Sequence, residues 1–345
     1  MAYYSSLGTV IQMAEQSDWI DSASTSKALP ELTVQVPATG ESMSMSFERL
    51  EPETMMGSRF KEISLASTAS CSGDINAPLS FDFSDFLFKQ LFGSVSTTTS
   101  SSTVDGYTIP VGAKSYEFGA VGSAFPLSSM AINRGNQELA SYPNLTINSL
   151  SLSCANNETC DATISLLGTE EVIGTSAYTG IEGYKEPEEL SSSALPFINT
   201  KSVLKVSGTS RCAESVQIDI NNNAQDAPRC FQDGQLSNRP YFGRKEATLS
   251  VSMPWDGADG LFADLKESYY GKDKTLSASF KFEDGNGHNV LFFFPACYVS
   301  NDSYNASGTG LIDGTIDLEV AEKSLNNGTY TSVEPIQVYT WTVTA

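Results

Sequence analysis

Acid–base, nucleophilic or metal chemistry would have to pass through a small set of residues in this chain, and their spacing does not suit it. The single histidine, His288, directly follows Asp284-Gly285-Asn286-Gly287, residue types that make a hairpin turn, so it reads as a turn residue rather than a general base. The same cluster lacks the spaced acidic ligands and the closing Glu of a calcium loop. The six cysteines contain no Cys-x-x-Cys pair, which argues against zinc. Cys154 and Cys160 bracket the turn Ala155-Asn156-Asn157-Glu158-Thr159, across which a disulfide is sterically conceivable outside a reducing compartment. Cys212 and Cys230 flank a loop, and both pairings stay open. Glu170, Glu171, Glu182, Glu186, Glu188 and Glu189 crowd one segment without convergent spacing, as a solvated face does. With no Gly-x-Ser-x-Gly elbow and no Gly-x-x-x-x-Gly-Lys phosphate cradle, we expect no catalytic residue, no metal and no cofactor.

Charge narrows the remaining classes. Against 20 basic residues stand 41 acidic ones, a formal charge of −21, so no basic face can be assembled to release counterions from nucleic acid. The N-terminus has neither the basic region nor the apolar core of a signal peptide, and the longest apolar run, Val290 to Val299, is too short to cross a bilayer. A protein made in a cytoplasm and free of membrane is the expectation, and the five Asn-x-Ser/Thr sequons, at Asn144, Asn157, Asn301, Asn305 and Asn327, then carry no meaning.

The elements that would position any site are mostly strands. Leu249, Val251 and Met253 alternate with Thr248, Ser250 and Ser252, the period-two signature of a strand with one buried face. Ala258, Leu261, Phe262, Leu265 and Tyr269 form a helical stripe closed by Gly271. Leu276 to Phe282 and Val290 to Val299 read as a hairpin, and Ile312, Ile316, Leu318 and Val320 as a last strand. The plan recurs upstream: Leu79, Phe81 and Phe83 as a strand, Ser84 as N-cap, a stripe of Leu87, Phe88, Leu91 and Phe92, then Gly93, at an offset of 170. Met43, Met45 and Phe47 precede the first copy as Val216, Ile218 and Ile220 precede the second, which indicates internal duplication. Tyr116 to Ile132 would supply the first copy's hairpin, and Leu150 to Leu166 a further hairpin closing at Asn156-Asn157. The Ser/Thr tract Ser94 to Gly106 reads as a loop, and Val333 to Val343 as an edge strand. The expected organisation is an N-terminal arm at 1–40, a β domain at 41–167, an acidic linker at 168–200, a second β domain at 201–325, and a C-terminal strand or arm at 326–345.

The strand-helix-strand cores, Ser72-Gly73-Asp74 to Phe92-Gly93 and Arg244 to Gly271, together with the strand Asn148-Ser149-Leu150-Ser151-Leu152-Ser153 and the long N-terminal segment, resemble the major tail tube proteins of long-tailed, non-contractile bacteriophages. The resemblance implies a mainly β chain of two tandem β-sandwich or half-barrel domains, each with one short flanking α-helix. It further implies a structural role in the virion tail, with subunits made in the host cytoplasm. Rings would stack into a conduit for the genome, which passes without specific binding. A duplicated chain fits a homotrimeric ring with pseudo-sixfold symmetry, where a single-copy chain would need a homohexamer. Tape-measure, terminator and tail-tip proteins would be further partners.

Within that picture, polar residues opposite the core are candidates for the bore: Gln217, Asp219, Asp313, Asp317 and Glu319. Contacts between subunits or rings would come from Leu32, Val34 and Val36 in the arm and from Arg49, Met55, Met56 and Arg59 in the charged segment after the first strand. Two alternatives remain. One is another tail component, a terminator or tip protein; the other is a carbohydrate-binding β-sandwich using Trp19, Trp255 or Trp341 as a stacking platform.

Overall fold

The computed structural model describes residues 9–20, 30–50, 65–119, 126–134, 138–173, 196–198, 201–225, 240–254, 275–305, 313–326 and 329–343. Its elements in chain order are β1 Val10–Gln16, β2 Val34–Val36, β3 Gly40–Glu41, β4 Ser44–Leu50, β5 Leu65–Pro78, α1 Phe81–Phe92, β6 Gly93–Thr97, β7 Ser102–Val104, β8 Tyr107–Ile109, β9 Lys114–Phe118, β10 Leu127–Arg134, β11 Glu138–Ala155, β12 Cys160–Gly168 and β13 Val172–Ile173. There follow β14 Val203–Val206, β15 Thr209–Arg211, β16 Ser215–Asn221, β17 Ala224–Gln225, β18 Tyr241–Phe242, β19 Glu246–Pro254, β20 Leu276–Glu283, β21 His288–Asn305, β22 Asp313–Val320, β23 Lys323–Asn326, β24 Thr329–Ser332 and β25 Gln337–Thr342. The fold is mainly β, with antiparallel pairing throughout and one helix among the described residues.

Two sets of strands follow one plan. In the first half the neighbours run β4, β5, β12, β11, β10; in the second they run β16, β19, β22, β21, β20. Both long strands, β11 and β21, are 18 residues and carry the same two irregularities. One falls at Pro143-Asn144 and Pro295-Ala296, where proline has no N–H to give the ladder; the other falls at Asn148 and Ser300. The members of each pair stand 152 positions apart, so the two bent strands match in register as well as in order. Bulges of this kind bend a strand, and here each lets one strand serve two sets of neighbours: β11 pairs β10 and β13 with its N-terminal half, β12 and β16 with its C-terminal half.

The halves are fused by β11 and β16, paired from Ser149 with Asn221 to Ala155 with Ser215. This yields one run of eight strands, β4-β5-β12-β11-β16-β19-β22-β21. Alternation along each strand sends Ile75, Leu150, Leu152, Ile164, Ile218, Ile220, Leu249, Val251, Ile316 and Leu318 into a shared apolar core. Each such side chain contributes roughly 1.5–3 kcal/mol by leaving water. Helix α1 lies on the core side, its Phe88 ring edge-on to Phe292 at 5.3 Å and to Tyr116 at 5.7 Å between ring centroids.

Several expectations change. Leu79, Phe81 and Phe83 are not a strand: β5 ends at Pro78, the N-cap is Ser80, and Phe81 and Phe83 open the helix, with Ser84 inside it. The helix ends as expected at Gly93, whose φ of 83° suits a residue without a Cβ. The true counterpart of Leu249-Val251-Met253 is Gly73-Ile75-Ala77, seen in the matching partners Ile75 with Ile164 and Val251 with Ile316. The Ser/Thr tract holds two strands, the exposed β6 and β7, not a loop. Strands β9 and β10 do not form a hairpin, since β9 pairs β6 and β25 while β10 pairs β1 and β11. Strand β25 is interior, between β21 and β9, where Trp341 is buried. The hairpins β11–β12 and β20–β21 fall where expected. The second helical stripe, 258–271, lies outside the described residues.

Part of the N-terminal segment is seated on this chain's own sheet. Strand β1 pairs β10 over seven residues and is locked by a buried polar knot, in which Gln16 donates to Asn144 Oδ1 at 2.5 Å and accepts from Ser129 Oγ at 2.5 Å and from Asn144 N at 3.0 Å. The knot satisfies the backbone freed by the Pro143-Asn144 bulge, where Asn144 has φ 55°.

Candidate functional site: the polar face of the eight-stranded sheet

The residues that alternate with the core side chains point to the other face, and the registers line them up in rows across both halves. One row runs Asp161, Ser153, Gln217, Ser250, Asp317, Asn301; the next runs Asn76, Thr163, Ser151, Asp219, Thr248, Glu319, Tyr298. A flanking row holds Asp74, Ser165, Ser149, Asn221 and Glu246. None of these positions carries Lys or Arg. The face is a lattice of hydroxyls and amides studded with carboxylates.

Neutral donors hold three of those carboxylates, Asp161, Asp219 and Asp317, in place. Gln217 Nε2 donates to Asp219 at 2.9 and 3.1 Å, Asn301 Nδ2 donates to Asp317 Oδ2 at 3.2 Å, and Ser250 Oγ donates to Asp317 Oδ1. Thr159 Oγ1 donates to Asp161 at 3.0 Å, and Thr163 Oγ1 to Asn76 Oδ1 at 2.8 Å. A carboxylate fixed by hydroxyl and amide donors keeps its negative charge, where a lysine partner would cancel it. Such a surface repels polyanions. No group of His, Cys, Asp and Glu able to hold a metal ion occurs among the described residues.

A family model described as phage tail tube protein matches residues 6–332. The chain belongs to the phage tail tube protein family. A search of curated proteins returned no match. Membership makes this tail tube protein a structural component of the virion tail and implies self-association into a tube; the family is non-enzymatic in general.

Of the bore candidates in this tail tube protein, Gln217, Asp219, Asp317 and Glu319 stand together on the polar face, on β16 and β22. Asp313 has its backbone at the start of β22, in register with Pro254 and Asn305. Sequence reasoning left out Asp74, Asp161, Glu246 and the Ser/Thr rows, although Ser149, Ser151 and Ser153 alternating with leucines carried the signal. Of the contact candidates, Leu32 and Val36 are 4% and 3% exposed within the chain's own core and Val34 is half-buried, so the first two present no free surface. Arg49 lies exposed on β4; Met55, Met56 and Arg59 lie outside the described residues.

The histidine sits elsewhere, as a turn device. Asp284 is fully buried and accepts from Asn286 N at 2.9 Å and His288 N at 2.8 Å, with His288 Nδ1 at 2.6 Å, and the imidazole stacks on Phe81 at 4.4 Å. This fastens the β20–β21 turn to the start of α1. Cys154 and Cys160 face each other across the β11–β12 hairpin and are joined as a disulfide, with Cα atoms 4.6 Å apart. Cys212 is a free, exposed thiol, and Cys230 lies outside the described residues.

Proposed function

We propose that this protein assembles as rings that stack into the tail tube and that the polar face of the eight-stranded sheet lines the bore through which the genome passes. One observation carries the reading: a continuous face, spanning both halves of the chain, that bears acidic and neutral polar side chains in register and no basic residue along its rows. The opposite face is closed by the core and α1, so it is this face that is available to a lumen. Double-stranded DNA carries one charge per about 1.7 Å of axis, and an acidic wall keeps it from adhering during transit.

The repeated strand order supports three chains per ring, each supplying two equivalent units, which gives pseudo-sixfold symmetry. Each ring would then carry 24 strands of this sheet around the bore, the eight counted above in each of three chains. Tape-measure protein would occupy the tube before the genome, and terminator and tip proteins would close its ends. Trp341 is buried, which removes it as a sugar-stacking platform. Electron microscopy of the purified protein at high concentration tests the reading: tubes or stacked rings with a central channel support it, and a protein that stays monomeric under conditions that preserve its fold overturns it.

A further inference from the structure

We propose that neighbouring chains join by pairing β4 of one with the C-terminal half of β21 of the next, repeating between copies the β11–β16 junction that fuses the two halves within a chain. The inference rests on the tail-tube reading and adds the surface, the partner and the register.

In the shared plan β16 is the counterpart of β4, and β21 is the counterpart of β11. Inside the chain, β16 has β19 on one side and β11 on the other. Residues Ser44–Phe47 of β4 have β5 on one side and no strand on the other among the described residues. Asn301–Asn305 of β21 have β22 on one side and, again among the described residues, no strand on the other, where the matching stretch of β11 holds β16. Among the described residues the sheet thus ends in two open margins that are complementary halves of a junction the chain already makes once. Open edges of this length are normally covered, and a second copy of the same chain offers the matching edge.

Register follows from the internal junction. Carrying Ser149 with Asn221 and Ser151 with Asp219 over to the equivalent positions pairs Asn301 of one chain with Ser46 of the next, and Ser303 with Ser44. This polarity keeps Ser44, Ser46, Asn301 and Ser303 in line with the rows of the polar face, so the lattice continues across the boundary. A second observation agrees. Asn222, one residue beyond β16 at the internal junction, is fully buried, with Nδ2 donating to the Ile147 carbonyl at 3.0 Å, while its counterpart on β4, Phe47, is 60% exposed. A phenylalanine left open at a position whose twin is sealed marks a surface that closes on association.

Directly opposed residues on antiparallel strands have Cα atoms roughly 4.5–5.5 Å apart, within disulfide reach. In a Cys212→Ser background, tubes of the Ser44→Cys/Ser303→Cys variant should convert on mild oxidation to covalent multimers ending at the closed ring, whose size counts its chains. The control Ser72→Cys/Ser303→Cys, displaced by one strand because Ser72 lies opposite Ser44 on β5, should stay monomeric on a denaturing gel. In the unsubstituted protein, amide exchange should slow at least tenfold on assembly in both 42–47 and 301–305. Tubes that form without cross-linking above the control, or without that protection, overturn the proposed junction and leave the tail-tube reading standing. Failure of the unsubstituted protein to form tubes overturns the tail-tube reading itself.

Discussion

If the polar face lines the bore as proposed, reversing its charge should slow passage of DNA. Asp74, Asp161, Asp219, Glu246, Asp317 and Glu319 lie on its rows. Asp317→Lys with Glu319→Lys shifts the local charge by four units per chain. A unit charge about 8 Å from a phosphate in water is worth about 0.5 kcal/mol, and about 0.2 kcal/mol after screening at physiological salt. With the three chains per ring proposed above, four units in each add about 2 kcal/mol of attraction per ring, more than tenfold in a rate. The assay is DNA release from intact particles, triggered in vitro and followed with a dye at about 0.05 M and 0.5 M salt. We expect release slowed at least tenfold at low salt and largely restored at high salt, where the screening length contracts. Because Asp317 also accepts from Ser250 and Asn301, the single Glu319→Lys variant, which shifts two units without touching that pair, should show about half the effect in logarithmic terms. Release that matches the parent at both salts, from particles with intact tails, refutes the placement of this face in the bore.

Three further outcomes follow from the packing. A Cβ on Gly73 would lie 2.6 Å from Met43 Cα and 2.7 Å from Ser42 C, backbone atoms that cannot swing aside, so Gly73→Ala should cost about 1–3 kcal/mol in urea unfolding and strip amide protection from 42–47; an unchanged midpoint would contradict this. Asp284→Ala removes the acceptor for three donors in a buried turn and should cost about 2–3 kcal/mol, measured the same way, whereas a loss below about 0.5 kcal/mol would show that the turn stands without it. Burial lowers Lys245 to about pH 8, its ammonium lying 3.9 Å from the Phe118 ring centroid. The folded state therefore binds fewer protons than the unfolded state between about pH 8 and 10.5. Lys245 opposes folding most below pH 8, and its penalty fades as pH rises through that window. Lys245→Met should raise stability at pH 7 and lose its advantage by pH 10.5; an advantage constant across the range would contradict the assignment.

The sequence made the strands of the second half legible because Leu249-Val251-Met253 and Leu276 to Phe282 alternate cleanly, with one face apolar and the other Ser, Thr or Lys. The first half misled at Leu79-Phe81-Phe83, where an i, i+2, i+4 spacing served equally for a strand and for the first turn of a helix. The strand itself, with Cys71, Gly73, Ile75 and Ala77 inward, was disguised by small residues. A recurring strand plan was visible in outline, while the register in which the two sets of strands match needed the shared bulges at Pro143 and Pro295. Pairing over long sequence separation, such as β25 with β9, leaves no local trace, which is why an interior strand looked like an edge. The acidic face could be found by following Gln217, Asp219, Asp317 and Glu319. Its continuity across the halves depends on β11 meeting β16, which only the fold reveals.

A density map of the assembled tube, resolved to the level of strands, tests the central claim most directly. The account requires three chains per ring, one closed barrel built from the two equivalent units of each chain, and Gln217, Asp219, Asp317 and Glu319 facing the channel. A map in which that face points outward, or in which the channel is lined by α1 and its neighbours, would contradict it.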